Sequence, residues 1–229
     1  MRDEKVKVLR SLRPIDAAGV ATQTVIGQYA EGAIKGRPVP GYAQELGRPS
    51  DTETFVALKL HVDNWRWKGV PFYLRTGKRL AERRSEILLA MRGVPHDIFG
   101  EPTPGMVPNR LLISLQPEEN IELGLMAKLP GLDREGLRLR EVALDIGRPD
   151  AFADRRRRIA YERLLLDLVE GRQTLFVRRD EVEAQWAFVD AIRAGWATTG
   201  MRPRAYAAGS WGPSAAIALA ERDGVSWND

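Results

Sequence analysis

Cysteine is absent from the 229 residues, which excludes a disulfide framework and thiolate metal or redox chemistry and fits a cytoplasmic chain. Histidine occurs only twice, at His61 and His96. Neither has a second histidine or a carboxylate at metal-ligand spacing, so no zinc site is expected. His61 reads as a strand residue leading into Asp63, and His96, followed by Asp97, reads as a turn contact. No run reaches the roughly 18 apolar residues that a membrane span needs. The first residues, MRDEKVKVLRSLRPID, scatter charge among few apolar side chains, so neither a secretory signal nor a lipid anchor is expected there. The turn G-x-G-x-x-G is missing too, and with it the usual dinucleotide phosphate cradle. Gly27 and Gly32 have the spacing that opens a phosphate loop, but Ala33 stands where the lysine belongs.

What is present describes an ordinary folded protein. Hydrophobic residues make up 44% and charged residues 29%, outside the disordered range. The length allows one large domain or two small ones, and residues 1–229 are read as a single domain. The net charge is +4, and Arg155 to Arg158 form a basic block. On a helix four consecutive residues point all ways, and Arg158 has Asp154 and Glu162 at i,i+4 spacing. The block therefore reads as a solvated helix face, not a nucleic-acid site.

Periodicity gives the element order. Asp3 to Leu12 is helical, with Val6 and Leu9 three apart and Val8 and Leu12 four apart. After a loop at Pro14 and Gly19 comes the strand-like TQTVIGQY, then a long Gly- and Pro-containing excursion over residues 31–53. From Glu53 the pattern alternates with period two: TFVALKLHVD, VPFYLR, EILLAM, RLLISLQ, NIELGLMAK and LRLREVAL, with turn residues between them. Such runs leave little room for crossover helices and imply antiparallel pairing. The last third is helical: DAFADRRRRIAYERLLLDLVEG up to Gly171, a second helix from about Arg179 carrying Trp186, Phe188, Val189 and Ile192, and a short one behind Pro213. Strands in one block and helices in another predict an α+β fold, a large mainly antiparallel sheet with helices packed on one side.

The candidate site is the segment from Arg75 to Arg84, RTGKRLAERR. A strand ends at Thr76-Gly77 and four more cations follow within a few residues. Like charges this dense repel unless an anion neutralises them. Lysine meets a phosphate as a point charge, and arginine clamps it in a fork. From the residues alone an anion site and a solvated loop weigh about equally.

The run HVDNWRWKGVPFYLRTGKRL, His61 to Leu80, is very similar to a strand-and-loop segment of the glucose-6-phosphate dehydrogenases. RDEKVKVLRSLRPI, VIGQYAEG, SDTETFVALKL, NRLLISLQPEE, AYERLLLDLVEG, FVRRDEVEAQW and GSWGP resemble further blocks of that family in the same order, so the resemblance covers almost the whole chain. It points to the C-terminal, sugar-phosphate-binding domain. The half that holds NADP and the general-base histidine is expected to be missing from these residues.

The resemblance implies conversion of glucose 6-phosphate to the lactone, with hydride passed to NADP. Position by position, Lys78 matches a lysine that contacts the sugar phosphate, Arg83 a neighbouring basic ligand, and Gln116 a polar residue of the substrate site. Arg75 and Arg84 match basic positions that hold a second, structural NADP in animal members. Ser114 and Gly124 stand where those members are basic, and Glu122 replaces an aromatic. No catalytic residue is expected within the chain, which is read as inactive alone. A homodimer built through the sheet is expected, with glucose 6-phosphate as ligand and no nucleic-acid or membrane partner. In the sequence reading its mixed face, Phe55, Ala57, Lys59 and His61, meets its own copy, while Val56, Leu58, Leu60 and Val62 meet the helices. A non-catalytic scaffold that pairs with a full-length relative is the alternative. The two differ in whether a separate nucleotide-binding half restores turnover.

Overall fold

Helix α1 (Arg2–Arg10) opens with Asp3 and Glu4 and closes with Lys7 and Arg10, charges that match the helix dipole at both ends. It belongs to a computed structural model that describes residues 2–94, 96, 106–130, 139–145 and 160–228. Val6 is buried. The helix is tied to the distant α5 (Arg179–Thr199) by Arg178 on Asp3 at 2.6 Å and Lys5 on Glu181 at 3.6 Å. α5 begins where expected and stops at Gly200 in the left-handed conformation. Ile192 and Trp196 face inward, whereas Trp186 and Val189 are exposed.

The chain divides into two compact units, residues 1–82 with 158–229, and residues 83–157. In the first, β1 (Thr24–Ala30), β4 (Phe55–His61), β5 (Pro71–Gly77) and β10 (Arg204–Ala207) form a sheet of order β10-β1-β4-β5. All pairs are antiparallel except β1 with β10. The residues between β1 and β4 are more regular than the sequence suggests. They carry the hairpin of β2 (Gly32–Ile34) with β3 (Arg37–Val39), then α3 (Tyr42–Leu46). β10 was not expected at all. Its four residues do not alternate, and parallel pairing with a strand some 170 residues away leaves no local signal.

Both faces of this sheet are covered, which corrects the expectation of helices on one side. Ile26 and Leu58 pack with Val20 of α2 (Val20–Gln23), with Ile15, and with Ile192 and Trp196 of α5. The alternate residues Val25, Tyr29, Phe55 and Ala57 pack with Tyr206 and with Ala216 and Leu219 of α6 (Ser214–Glu221). The Phe55 face is therefore not open for a partner. Phe55 and Ala57 are fully buried, and Lys59 pairs with Asp223, just beyond α6, at 2.6 Å.

The second unit holds a separate antiparallel sheet, β6 (Ser85–Ala90), β7 (Arg110–Gln116), β8 (Asn120–Lys128) and β9 (Leu139–Asp145), in that order. The single large sheet expected is thus two among the described residues. β5 does not turn back into β6, because its continuation bonds to the segment after β10, with Gly209 N–H on the Arg79 carbonyl and Ala81 N–H on the Ser210 carbonyl. Cross-strand register puts Ile87, Leu89, Leu111, Ile113, Ile121, Leu123, Leu125, Val142 and Leu144 on one face. The other face carries Glu86, Arg110, Ser114, Glu122 and Glu141, with Arg110 between Glu141 at 2.9 Å and Glu122 at 3.7 Å.

All described helices, α4 (Ala160–Val169) included, belong to the first unit. α4 buries Asp167 beside Arg163 but exposes Leu165, Leu168 and Val169. The start expected for this helix, the Arg155 to Arg158 block and Asp97 lie outside the described residues. No helix among the described residues is long and apolar enough to cross a membrane.

Candidate functional site

The β4–β5 ladder runs past the end of β5. After the pair Phe55 with Gly77, the Lys78 amide donates to the Thr54 carbonyl at 2.8 Å. Arg79 then takes φ +53°, a left-handed conformation that costs a non-glycine residue about 1 kcal/mol or more and that ends the strand. The ion pair of Arg79 with Glu45 of α3, at 2.6 Å, accompanies it. Glu45 accepts from the Tyr29 hydroxyl at 2.6 Å on its other oxygen. The Tyr29 bond, with Arg79 second, holds the Glu45 carboxyl below the ordinary carboxylate range.

Lys78 is exposed, but its backbone is not loose. Its carbonyl accepts from the Tyr206 hydroxyl at 2.6 Å. Tyr206 is 4% exposed, and burial pushes its phenol up. The loop that supports this turn is GSWGP, Gly209 to Pro213. Gly209 has φ +88° and lies so near the Ala33 carbonyl that a Cβ would overlap it, and Gly212, at φ +103°, would overlap Phe55. Glycine is required at both places.

The structure distributes the cations of the segment among different partners. The Arg75 guanidinium carbon lies 4.9 Å from the Trp211 ring centre and 4.7 Å from that of Trp227. Arg79 is taken by Glu45, as above. In the second unit Arg84 lies 3.6 Å from Glu86. Among the described residues, Lys78 in the first unit and Arg83 in the second, both exposed, have no carboxylate partner. Gln116 ends β7, exposed, opposite Ser85. A bulge there, with Glu86 opposite Ser114, leaves Leu115 as the extra residue and turns the strand end.

Arg75 and Arg84, the positions that the resemblance gives to a structural nucleotide, have neighbours of their own. Arg75 is stacked on two indoles, Arg84 sits beside Glu86, and Arg110 lies between Glu141 and Glu122, the latter standing where the resemblance has an aromatic. A dinucleotide phosphate would meet those carboxylates with like charge.

Comparison with known proteins was then decisive for the family. A sequence profile described as glucose-6-phosphate dehydrogenase, C-terminal domain, matches residues 1–228. The chain belongs to that family. It is 62% identical over its whole length to the glucose-6-phosphate 1-dehydrogenase of Zymomonas mobilis, covering 47% of that protein. With the same-named protein of Rhizobium meliloti it shares 55% identity, over all of this chain and 46% of the relative. A solved glucose-6-phosphate dehydrogenase in complex with its substrate glucose 6-phosphate superposes with a TM-score of 0.83 at 31% identity, over all of this chain and 45% of the other. The crystal structure of glucose-6-phosphate 1-dehydrogenase from Mycobacterium avium gives 0.75 at 31% identity, over all of this chain and 44% of that one. The chain spans about half the length of the curated relatives it matches. The α+β fold read from the sequence is that of this family domain.

Sequence reasoning missed the residues that fix the turn. Tyr206, Thr54 and Glu45 lie far from Lys78 in the chain. The visible signals were GSWGP and SDTETF, blocks of the resemblance with no role attached.

Proposed function

We propose that this chain is the glucose 6-phosphate-binding and subunit-interface domain of an NADP-dependent glucose-6-phosphate dehydrogenase, and that it is inactive alone. The observation that carries the reading is the sorting of the cations from Arg75 to Arg84: among the described residues Arg75 stacks on two indoles, Arg79 and Arg84 lie beside carboxylates, and Lys78, which matches the family lysine that contacts the sugar phosphate, is paired with no carboxylate. The ammonium of Lys78 serves as a point charge for the phosphate, and the substrate-binding roles of Arg83 and Gln116 follow from the family resemblance alone. The phosphate does not react. Binding it spends remote binding energy on holding C1 in place for hydride transfer. NADP and the general base belong to the other half of the relatives' length, and Arg75 and Arg84 are not assigned to a nucleotide. Residues 1–229 act as one functional domain in this reading, since the family match runs through both units. Its location is cytoplasmic, as suits a cysteine-free protein with a phosphorylated sugar as ligand.

The test is a titration of glucose 6-phosphate into the complete native protein and its Lys78→Ala form. Loss of a charged phosphate contact costs about 1.5–3 kcal/mol, so affinity should fall roughly 10- to 150-fold. Unchanged affinity would sink the assignment.

A further inference from the structure

The backbone of Lys78 and Arg79 is held at three polar atoms. Thr54 accepts the Lys78 N–H at 2.8 Å, Tyr206 donates to the Lys78 carbonyl at 2.6 Å, and the Arg79 carbonyl accepts the Gly209 N–H at 2.8 Å. Two separate parts of the chain, Thr54 and the segment from Tyr206 to Gly209, converge on two residues of an exposed turn, and a surface loop does not need that. The phenol of Tyr206 is itself aimed. Its ring lies 5.5 Å from that of Phe55 and 6.5 Å from that of Tyr29, and Thr54 Oγ1 sits 3.2 Å from its oxygen. A hydroxyl has one proton, and the short contact to Lys78 takes it, so Thr54 Oγ1 is left as donor to the phenol oxygen. Packing in this core would be served equally by phenylalanine, since the ring makes the apolar contacts. The hydroxyl, whose burial is costly unless it is bonded, has the Lys78 carbonyl as its nearest partner.

We infer that Tyr206 is a positioning residue for Lys78, with Glu45 as its counterpart on Arg79. The inference rests on Lys78 being the phosphate ligand. Lysine has four side-chain torsions, and a mobile backbone beneath them would multiply the states lost on binding. Fixing the Lys78 carbonyl from the core and holding Arg79 left-handed through Glu45 fixes the direction in which the Lys78 side chain leaves the turn. Neither Tyr206 nor Glu45 need touch the sugar phosphate.

A double-mutant cycle tests this. Glucose 6-phosphate is titrated calorimetrically into the complete native protein, Tyr206→Phe, Lys78→Ala and the double variant, with thermal unfolding followed in parallel. Tyr206→Phe should weaken binding about 5-fold, and in the Lys78→Ala background it should change affinity less than about 2-fold, because positioning a missing ammonium has no effect. A purely structural role would instead weaken both backgrounds by the same factor, and that result overturns the inference. So does an unchanged affinity in Tyr206→Phe while Lys78→Ala binds weakly. If Lys78→Ala itself binds normally, the phosphate reading fails and the inference with it. Should Tyr206→Phe not fold, the same cycle on Glu45→Gln, which lies outside the buried core, decides, with about 3-fold expected and the same non-additivity.

Discussion

At the residue scale, Arg75 shows how a partly buried arginine can be held by aromatic rings. Its guanidinium is weakly hydrated and planar, so stacking on Trp211 and Trp227 costs little desolvation and gains from both ring faces. Trp227 is held in turn by its indole N–H on the Ala216 carbonyl at 2.8 Å and by an edge contact with Tyr73. Arg75 is therefore expected to fasten the C-terminal segment to β5. Arg75→Ala should lower stability by about 1–2 kcal/mol in urea unfolding and shift tryptophan emission to the red as the indoles meet water. Arg75→Lys should recover only part, since an ammonium cannot stack as a plane. An unchanged midpoint would show that the segment is held by its other contacts.

At the element scale, β4 and the residues after α6 couple folding to pH. Asp223 accepts from Lys59 and from Tyr73, and these bonds hold its carboxyl below the usual range, Lys59 first. A carboxyl depressed in the folded state stabilises above its unfolded value, near 3.8, and loses that stabilisation as pH falls through the folded value. His61, at the end of the same strand, is also lowered, by burial first and then by Arg13 and Lys59. Below about 6.5 the unfolded chain takes up a proton that the folded chain resists, so stability falls there as well. The thermal midpoint should decline in two stages on acidification, a shallow one beginning below pH 6.5 and a steeper one below pH 4. His61→Gln should remove the first stage and leave the second. A flat midpoint from pH 7 to pH 5 in the unaltered protein would contradict the account.

At the scale of the whole molecule the second sheet matters most. Its aliphatic face leaves Ile87 49%, Ile121 39%, Val142 42% and Leu144 50% exposed, in a contiguous ladder set by the register of four strands. Apolar patches of this kind mark contact surfaces. The homodimer proposed above is therefore expected to use this face, not the Phe55 face, which α6 covers. Two copies would bury the ladder about a two-fold axis. Sedimentation equilibrium should give twice 25.7 kDa at micromolar concentration. Leu144→Glu on an edge strand should shift the mass to the monomer with the fold retained. A monomer at all concentrations in the unaltered protein would remove the proposal.

Much of the fold was legible because it rests on local pattern. Alternation located β4 to β9, and the chemistry of helix ends located α1, α5 and α6, within a residue or two in most cases. The candidate cations could be read directly, because charge density is a property of composition along the chain. The tertiary structure decided everything that depends on contacts distant in sequence. β10 exists through pairing with β1, and the sheet divides in two because the turn after Lys78 bonds to Gly209 and Ser210 instead of to β6. It also decided which cations are committed, since Glu45 and the two indoles reach Arg79 and Arg75 only after folding. Period and propensity are local quantities. A partner brought in by loop closure over 30 to 170 residues leaves no trace in either.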